Sequence, residues 1–150
     1  MIVGYAGSRA FPELELVKES VLGLDVDDIV VSGGAQGVDR MAEKTASDSG
    51  LHVISFRPFN TADGSRFPWR VERWMYDPEY GWSHQLLPTP LGGFAAAAHV
   101  RNTYIVEVSE RAELFWDGRS RGTKDTLRKC EAAGLPHELT RIVVKEGHLG

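Results

Sequence analysis

The chain has 150 residues, a formal net charge of −4, 42% apolar and 25% charged residues, and one cysteine. That length suits a single domain over 1–150 with a sizeable core and leaves no room for a second. The acidic balance argues against a general nucleic-acid binder, which shows a basic face, and a lone cysteine excludes an internal disulfide or a cysteine-based zinc site.

The opening run Met1-Ile2-Val3-Gly4-Tyr5-Ala6 lacks the basic flank and the length of a signal peptide. No apolar run is long enough to cross a bilayer, so the expectation is a soluble, cytoplasmic protein without a membrane partner. Ile2 to Ala6 reads as a first buried strand, ending at the polar loop Gly7-Ser8-Arg9. Pro12 suits the first turn of a helix whose buried stripe is Leu14, Val17, Val21 and Leu24. A second strand spans Ile29 to Ser32, and the turn Gly33-Gly34-Ala35-Gln36-Gly37 follows at once. Val38, Met41, Ala42, Thr45, Ala46 and Ser49 then recur at the spacing of one helix face. Gly50 ends that helix, and Leu51 to Phe56 is a third strand. The order β-α-β-α-β implies an α/β fold, Rossmann-like, with a mostly parallel central sheet between helical layers.

The segment 57–93 breaks this rhythm. Five prolines (Pro58, Pro68, Pro78, Pro88, Pro90) punctuate it, and a helix fits only around Trp69 to Met75. Its aromatic residues, Trp69, Trp74 and Trp82 among them, argue against disorder. An aromatic-rich insertion of this kind is a lid, a base-stacking wall, a subunit interface or a self-packed surface loop. Beyond it, Ala95 to Val108 is helical, with Ala98, Asn102 and Ile105 on one face and Arg101 beside them. A fourth strand within Arg111 to Trp116 leads to the turn Asp117-Gly118-Arg119-Ser120-Arg121-Gly122-Thr123. A helix with Leu127, Cys130 and Ala133 inward ends near Gly134, and Leu139 to Val144 forms a last strand before a solvated tail, 145–150. Cys130 reads as a buried, inert thiol.

Strand, glycine turn and helix together make an anion-binding architecture, because turn amides and a helix N-terminus both present positive partial charge. Gly33, Gly34 and Gly37 keep side chains out of the way, with Ala35 between them. Three polar loops (7–9, 33–37, 117–123) follow predicted parallel strands and therefore share one edge of the sheet. If the first strand is central, its loop and that of the fourth strand flank the ligand crevice. Ser8 and Thr123 then offer hydroxyl groups, Arg9 and Arg101 offer charge to phosphate oxygens, and Asp39 and Asp117 are candidates for ribose hydroxyls.

Other motifs can be set aside. The glycine turn is not G-x-G-x-x-G, so a dinucleotide oxidoreductase is unsupported. Gly122-Thr123-Lys124 inverts the Lys-Thr order of a Walker A loop. Gly118-Arg119-Ser120-Arg121-Gly122 matches G-x-S-x-G literally, but only His137 and His148 follow as candidate bases. The five histidines show no metal spacing, and neither a metal nor a cofactor is expected.

Gly7-Ser8-Arg9, Ser32 to Asp39, Arg101-Asn102 and Phe115-Trp116-Asp117-Gly118-x-Ser120-x-Gly122-Thr123 together resemble the YspA/YpsA-related branch of the SLOG superfamily. The resemblance spans the chain except 57–93. The superfamily includes the DNA-processing protein A core and the Lonely Guy phosphoribohydrolases. It implies a pocket for a nucleotide or nucleotide-derived ligand, such as a nucleoside monophosphate or an ADP-ribose-like molecule, in a homodimer. The implied ligand-binding set is Gly7, Ser8, Arg9, Gly33, Gly34, Ala35, Gly37, Asp39, Arg101, Asn102, Asp117, Gly118, Ser120, Gly122 and Thr123. Lonely Guy enzymes cleave the N-glycosidic bond with an arginine and a glutamate that follows a Gly-Thr pair. Arg101 resembles that arginine, but Lys124-Asp125-Thr126 supplies only Asp125 where the glutamate stands. A sensor or carrier that binds without turnover is thus the expectation. The alternatives are hydrolysis of nucleoside 5′-monophosphates by Arg101 and Asp125, and binding of single-stranded DNA.

Overall fold

The computed structural model describes residues 1–143. In chain order the elements are β1 (Ile2–Gly7), α1 (Leu14–Leu22), β2 (Ile29–Ser32), α2 (Val38–Asp48), β3 (His52–Asn60), β4 (Trp69–Asp77), β5 (Gly81–Leu86), α3 (Phe94–Val108), β6 (Arg111–Trp116), α4 (Arg121–Ala133) and β7 (His137–Arg141). They form one seven-stranded sheet in the order β5-β4-β3-β2-β1-β6-β7. All pairings among β3, β2, β1, β6 and β7 are parallel, and β4 and β5 add an antiparallel edge. This is a Rossmann-like α/β fold with a mostly parallel sheet.

Helices cover both faces, which is why the central strands read as continuous apolar runs. Val3 and Tyr5 point to the side where Val17, Val21, Val38 and Ala42 of α1 and α2 pack. Ala6 turns the other way, toward Val106 of α3 and Cys130 of α4. Val31 and Phe56 meet Ile105 of α3 on that same side. Fully burying side chains of this size contributes about 1.5–3 kcal/mol each, so this two-sided core is the main stabilising term. Cys130 is fully buried, and burial pushes its thiol up to about 11.

The segment 57–93 is not irregular. Its centre is the hairpin β4–β5, and β4 lies where a helix had been expected around Trp69 to Met75. The third strand runs on to Asn60 and pairs with β4 along its length, from Val53↔Tyr76 to Asn60↔Trp69. Pro58 is tolerated because β2 pairs only as far as Ser55, so beyond that point one side of β3 has no ladder to serve. Trp74 stacks on His84 at 4.5 Å and meets Trp82 edge-on at 6.3 Å, with the Arg57 guanidinium 5.1 Å from the Trp74 ring.

Smaller differences follow local chemistry. Pro12 lies just before α1, whose first residue is Leu14, and Leu24 packs on the core from beyond the helix end. Gly134 takes a left-handed conformation (φ 65°) that closes α4, which frees the chain to enter β7. The last strand is His137–Arg141, shorter than expected; Val144 and the expected tail 145–150, with His148, lie outside the described residues.

Candidate functional site

With β1 central, strand order reverses between β1 and β6, and a cleft of about 750 Å³ opens at the carboxyl ends of these strands. Gly7, Arg9 and Ala10 line it from the loop after β1, and Ala35 and Asp39 from the glycine turn and α2. Arg101 and Asn102 enter from α3, and Asp117, Ser120, Gly122, Thr123 and Asp125 from the loop after β6 and from α4. Phe94, Ala95, Ala98, His99, Arg121 and Thr126 complete the wall.

The glycine turn shapes the cleft without offering it an empty row of amides. The Gly34 amide donates to Glu43 Oε2 at 2.9 Å, and the Ala35 amide to Asp39 Oδ2 at 3.3 Å. Ser55 Oγ and Arg57 Nη2 also donate to Glu43, each at 2.9 Å, so a buried carboxylate occupies the position an exogenous anion would take. The Gly33 carbonyl accepts from Arg101 Nη1 at 2.6 Å. Gly37 (φ 82°) lets α2 approach the loop after β1 so closely that a Cβ there would lie 2.6 Å from the Arg9 carbonyl oxygen. Gly33, Gly34 and Gly37 therefore support the cleft and do not line it. Gly118 is likewise absent from the wall and makes the tight turn beneath Asp117.

The second side of the cleft is built by α4. Ser120 caps the helix, its Oγ accepting from the Thr123 amide at 3.4 Å and from Thr123 Oγ1 at 3.2 Å. That role, with no histidine or carboxylate bonded to Ser120 Oγ among the described residues, leaves the G-x-S-x-G match without a base. Ser8 is buried; its Oγ accepts from the Asp117 amide at 3.1 Å and lies 3.4 Å from Thr123 Oγ1. Ser8 thus braces the two loops against each other. Burial pushes the Asp117 carboxyl up, but the amides of Ser120 and Arg119 outweigh this and hold it below its ordinary value. The amides of Arg121 and Gly122, first in α4, make no hydrogen bond within the described residues. Two open amides at a helix N-terminus present positive partial charge, and the Arg9 and Arg121 side chains line the same cleft without a carboxylate partner among the described residues.

Three charged groups stand elsewhere on the cleft wall. Asp39 is buried, and burial raises its carboxyl from 3.8 to about 7; Arg101 pulls it down and Glu43 pushes it up. Burial lowers the Arg101 guanidinium in turn, against the pull of Asp39. Burial also pushes the Asp125 carboxyl up, but hydrogen bonds from Lys129 and Asn102 prevail and leave it below its ordinary value. Lys129 Nζ donates to both Asp125 oxygens (2.8 and 2.7 Å), Asn102 Nδ2 donates to Oδ2 at 3.0 Å, and His99 Nδ1 lies 3.3 Å from Oδ1. Arg101 makes no hydrogen bond to Asp125; its Nε donates to Asn102 Oδ1 at 2.8 Å. No group of histidine, cysteine and carboxylate side chains among the described residues could hold a metal ion, and no helix there is long and apolar enough to cross a membrane.

Sequence reasoning passed over Glu43, Ser55 and Arg57. Glu43 lies one helical turn after Asp39, and Ser55 interrupts an apolar strand, which were the available signals. His99 and Phe94 were passed over too, although His99 stands at the i,i+3 spacing from Asn102.

No family model matches the chain, and no curated protein matches it in sequence. Among solved structures it is similar to the X-ray structure of DNA processing protein A from Streptococcus pneumoniae, with a TM-score of 0.64 at 20% identity. The alignment covers 96% of this chain and 50% of the other, so the chain spans about half the length of that protein. The chain thus shares the α/β fold of DNA processing protein A over nearly its whole length.

Proposed function

We propose that the cleft binds a phosphorylated nucleoside or ADP-ribose-like ligand and holds it without turnover, as a sensor or carrier of the YspA-related kind. The observation that carries this reading is the open first turn of α4, with two unbonded amides flanked by Arg9 and Arg121 at the strand-order switch. A phosphate there would meet the positive end of a helix in a cleft whose wall also carries two arginines. The half-exposed Phe94 ring, set edge-on to Trp69 at 5.3 Å, offers a base a stacking face at the rim. Hydrolysis is the weaker reading, because the sites of Asp125 are occupied by Lys129, Asn102 and His99, leaving it poorly placed to stabilise an oxocarbenium-like centre. Binding of single-stranded DNA draws on the likeness to DNA processing protein A and on exposed rings such as Tyr80 and Trp82.

The test is calorimetry of the purified protein with AMP and ADP-ribose, chromatography of the same mixtures for free base, and light scattering for the proposed homodimer. Binding with the ligand returned intact supports the sensor. Release of free base moves the protein to the hydrolases, and absence of binding moves attention to single-stranded DNA.

A further inference from the structure

We infer that Asp39 is the specificity-determining residue of the cleft and takes a ribose hydroxyl as hydrogen-bond donor, so that ribonucleotides are selected over their deoxy counterparts. This rests on the nucleotide reading above and narrows it to a ligand class. Asp39 is 5% exposed yet borders the cleft. Its Oδ2 accepts the Ala35 amide, while Oδ1 has no hydrogen-bond partner among the described residues. The Gly7 amide stabilises the carboxylate from nearby but closes no hydrogen bond to Oδ1. A buried acceptor without a donor is costly and uncommon, and at the wall of a cleft it marks where a ligand donates.

Charge and reach identify the donor. Above about pH 7 Asp39 is ionised and repels phosphate, and the neighbouring Arg101 is already turned to the Gly33 carbonyl. The anion therefore goes to the first turn of α4, and a neutral part of the ligand goes to Asp39. The two positions are close. Gly7 approaches the Asp39 carboxyl, Ser8 follows one Cα step of about 3.8 Å later, and Ser8 Oγ is 3.4 Å from Thr123 Oγ1 in that first turn. A sugar spans such a gap, whereas the exocyclic amine of a base lies at the far end of the nucleotide. A hydroxyl donating to a carboxylate makes a charge-assisted bond, and an analogue lacking it leaves the carboxylate unpaired.

The test compares AMP, 2′-deoxy-AMP, 3′-deoxy-AMP and purine riboside 5′-monophosphate, which lacks the amine, by calorimetry on the wild-type protein. At least one deoxy analogue should bind about tenfold or more weakly, and the amine-free analogue within about threefold of AMP. Asp39→Asn should cut the discrimination between AMP and that analogue to about twofold, with an unchanged circular dichroism spectrum. In that variant the Ala35 amide holds the carboxamide oxygen, which leaves an NH₂ group in the Oδ1 position. If AMP binds and both deoxy analogues bind within about twofold of it, the inference fails while nucleotide binding stands. Weaker binding of the amine-free analogue alone also overturns it, in favour of a base contact. If AMP does not bind, the nucleotide reading itself has failed and this inference goes with it.

Discussion

Glu43 accepts the Gly34 amide at 2.9 Å, so the glycine-rich turn is satisfied by a carboxylate from within the same fold. The consequence is a division of labour between two helix N-termini. The α2 end is closed by its own acids, Asp39 and Glu43, and the α4 end is left open toward the cleft.

Removing Glu43 should therefore be a stability lesion first. Glu43→Ala deletes acceptors for Gly34, Ser55 and Arg57 and leaves them unpaired. A loss of about 2–4 kcal/mol is expected, less than for a fully buried pair because Arg57 is partly solvated. Urea denaturation should show a lower midpoint at unchanged slope.

Gly37→Ala should cost more than Gly34→Ala, although both positions have positive φ. At Gly34 the added Cβ meets the Arg57 side chain at 2.5 Å, which can move aside. At Gly37 it meets the Arg9 carbonyl oxygen and Cα, which cannot move without displacing the loop after β1. The expected losses are roughly 1–2 kcal/mol at Gly34 and 3 or more at Gly37. Only the Gly37 change should also weaken ligand binding, since Arg9 borders the cleft; thermal melts and calorimetry separate the two effects.

Asp39 predicts a pH dependence of stability. Its folded carboxyl titrates at about 7 against an ordinary 3.8, so between those values the folded chain holds a proton that the unfolded chain has lost. Stability from this group is greatest below about pH 4, falls as pH rises toward 7, and is flat above. Asp39→Asn removes that slope and should gain on the wild type by up to about 4 kcal/mol between pH 4 and pH 8. Parallel denaturation series at several pH values measure it. Arg101 and Glu43 face the same carboxyl from α3 and α2, so the comparison should be repeated in the Arg101→Lys background, where a weaker pull moves the transition to higher pH.

Arg9→Ala and Arg121→Ala should each weaken binding of a phosphorylated ligand by about three- to tenfold at low salt, with little effect on the melting temperature. Both side chains are exposed, so the penalty should shrink as ionic strength rises. A penalty that does not change with salt would remove that arginine from the phosphate site.

The centre of the parallel sheet was legible because β1 and β2 are buried on both faces. Val30-Val31 and Leu114 to Trp116 read as short unbroken apolar runs, and the helices α1 and α2 carry a clear inward stripe. The hairpin was not legible, because neither face of β4 is purely apolar. Glu72 shares one face with Trp74 and Tyr76, and Arg73 shares the other with Val71 and Met75. Pro68, Pro78 and Pro88 bracket its strands without interrupting them. The candidate site was legible as three loops at one sheet edge. What the sequence could not express is that Asp39 and Glu43 fold back onto the amides of the turn that precedes them.

Central placement of β1 also governs how the protein is assembled. Its parallel register with β6 joins Val3 to Arg111 and Tyr5 to Glu113, so the middle of the sheet is sealed by residues distant in sequence. Closing a loop of that length carries an entropic cost, so the β1–β6 pairing should form late in folding. Until it forms, β1 exposes a hydrophobic edge, and a chain cut after β5 would keep that edge open to other molecules. The cleft lies on this seam, so the proposed ligand binding should be the last property acquired on refolding and a direct reporter of completed folding.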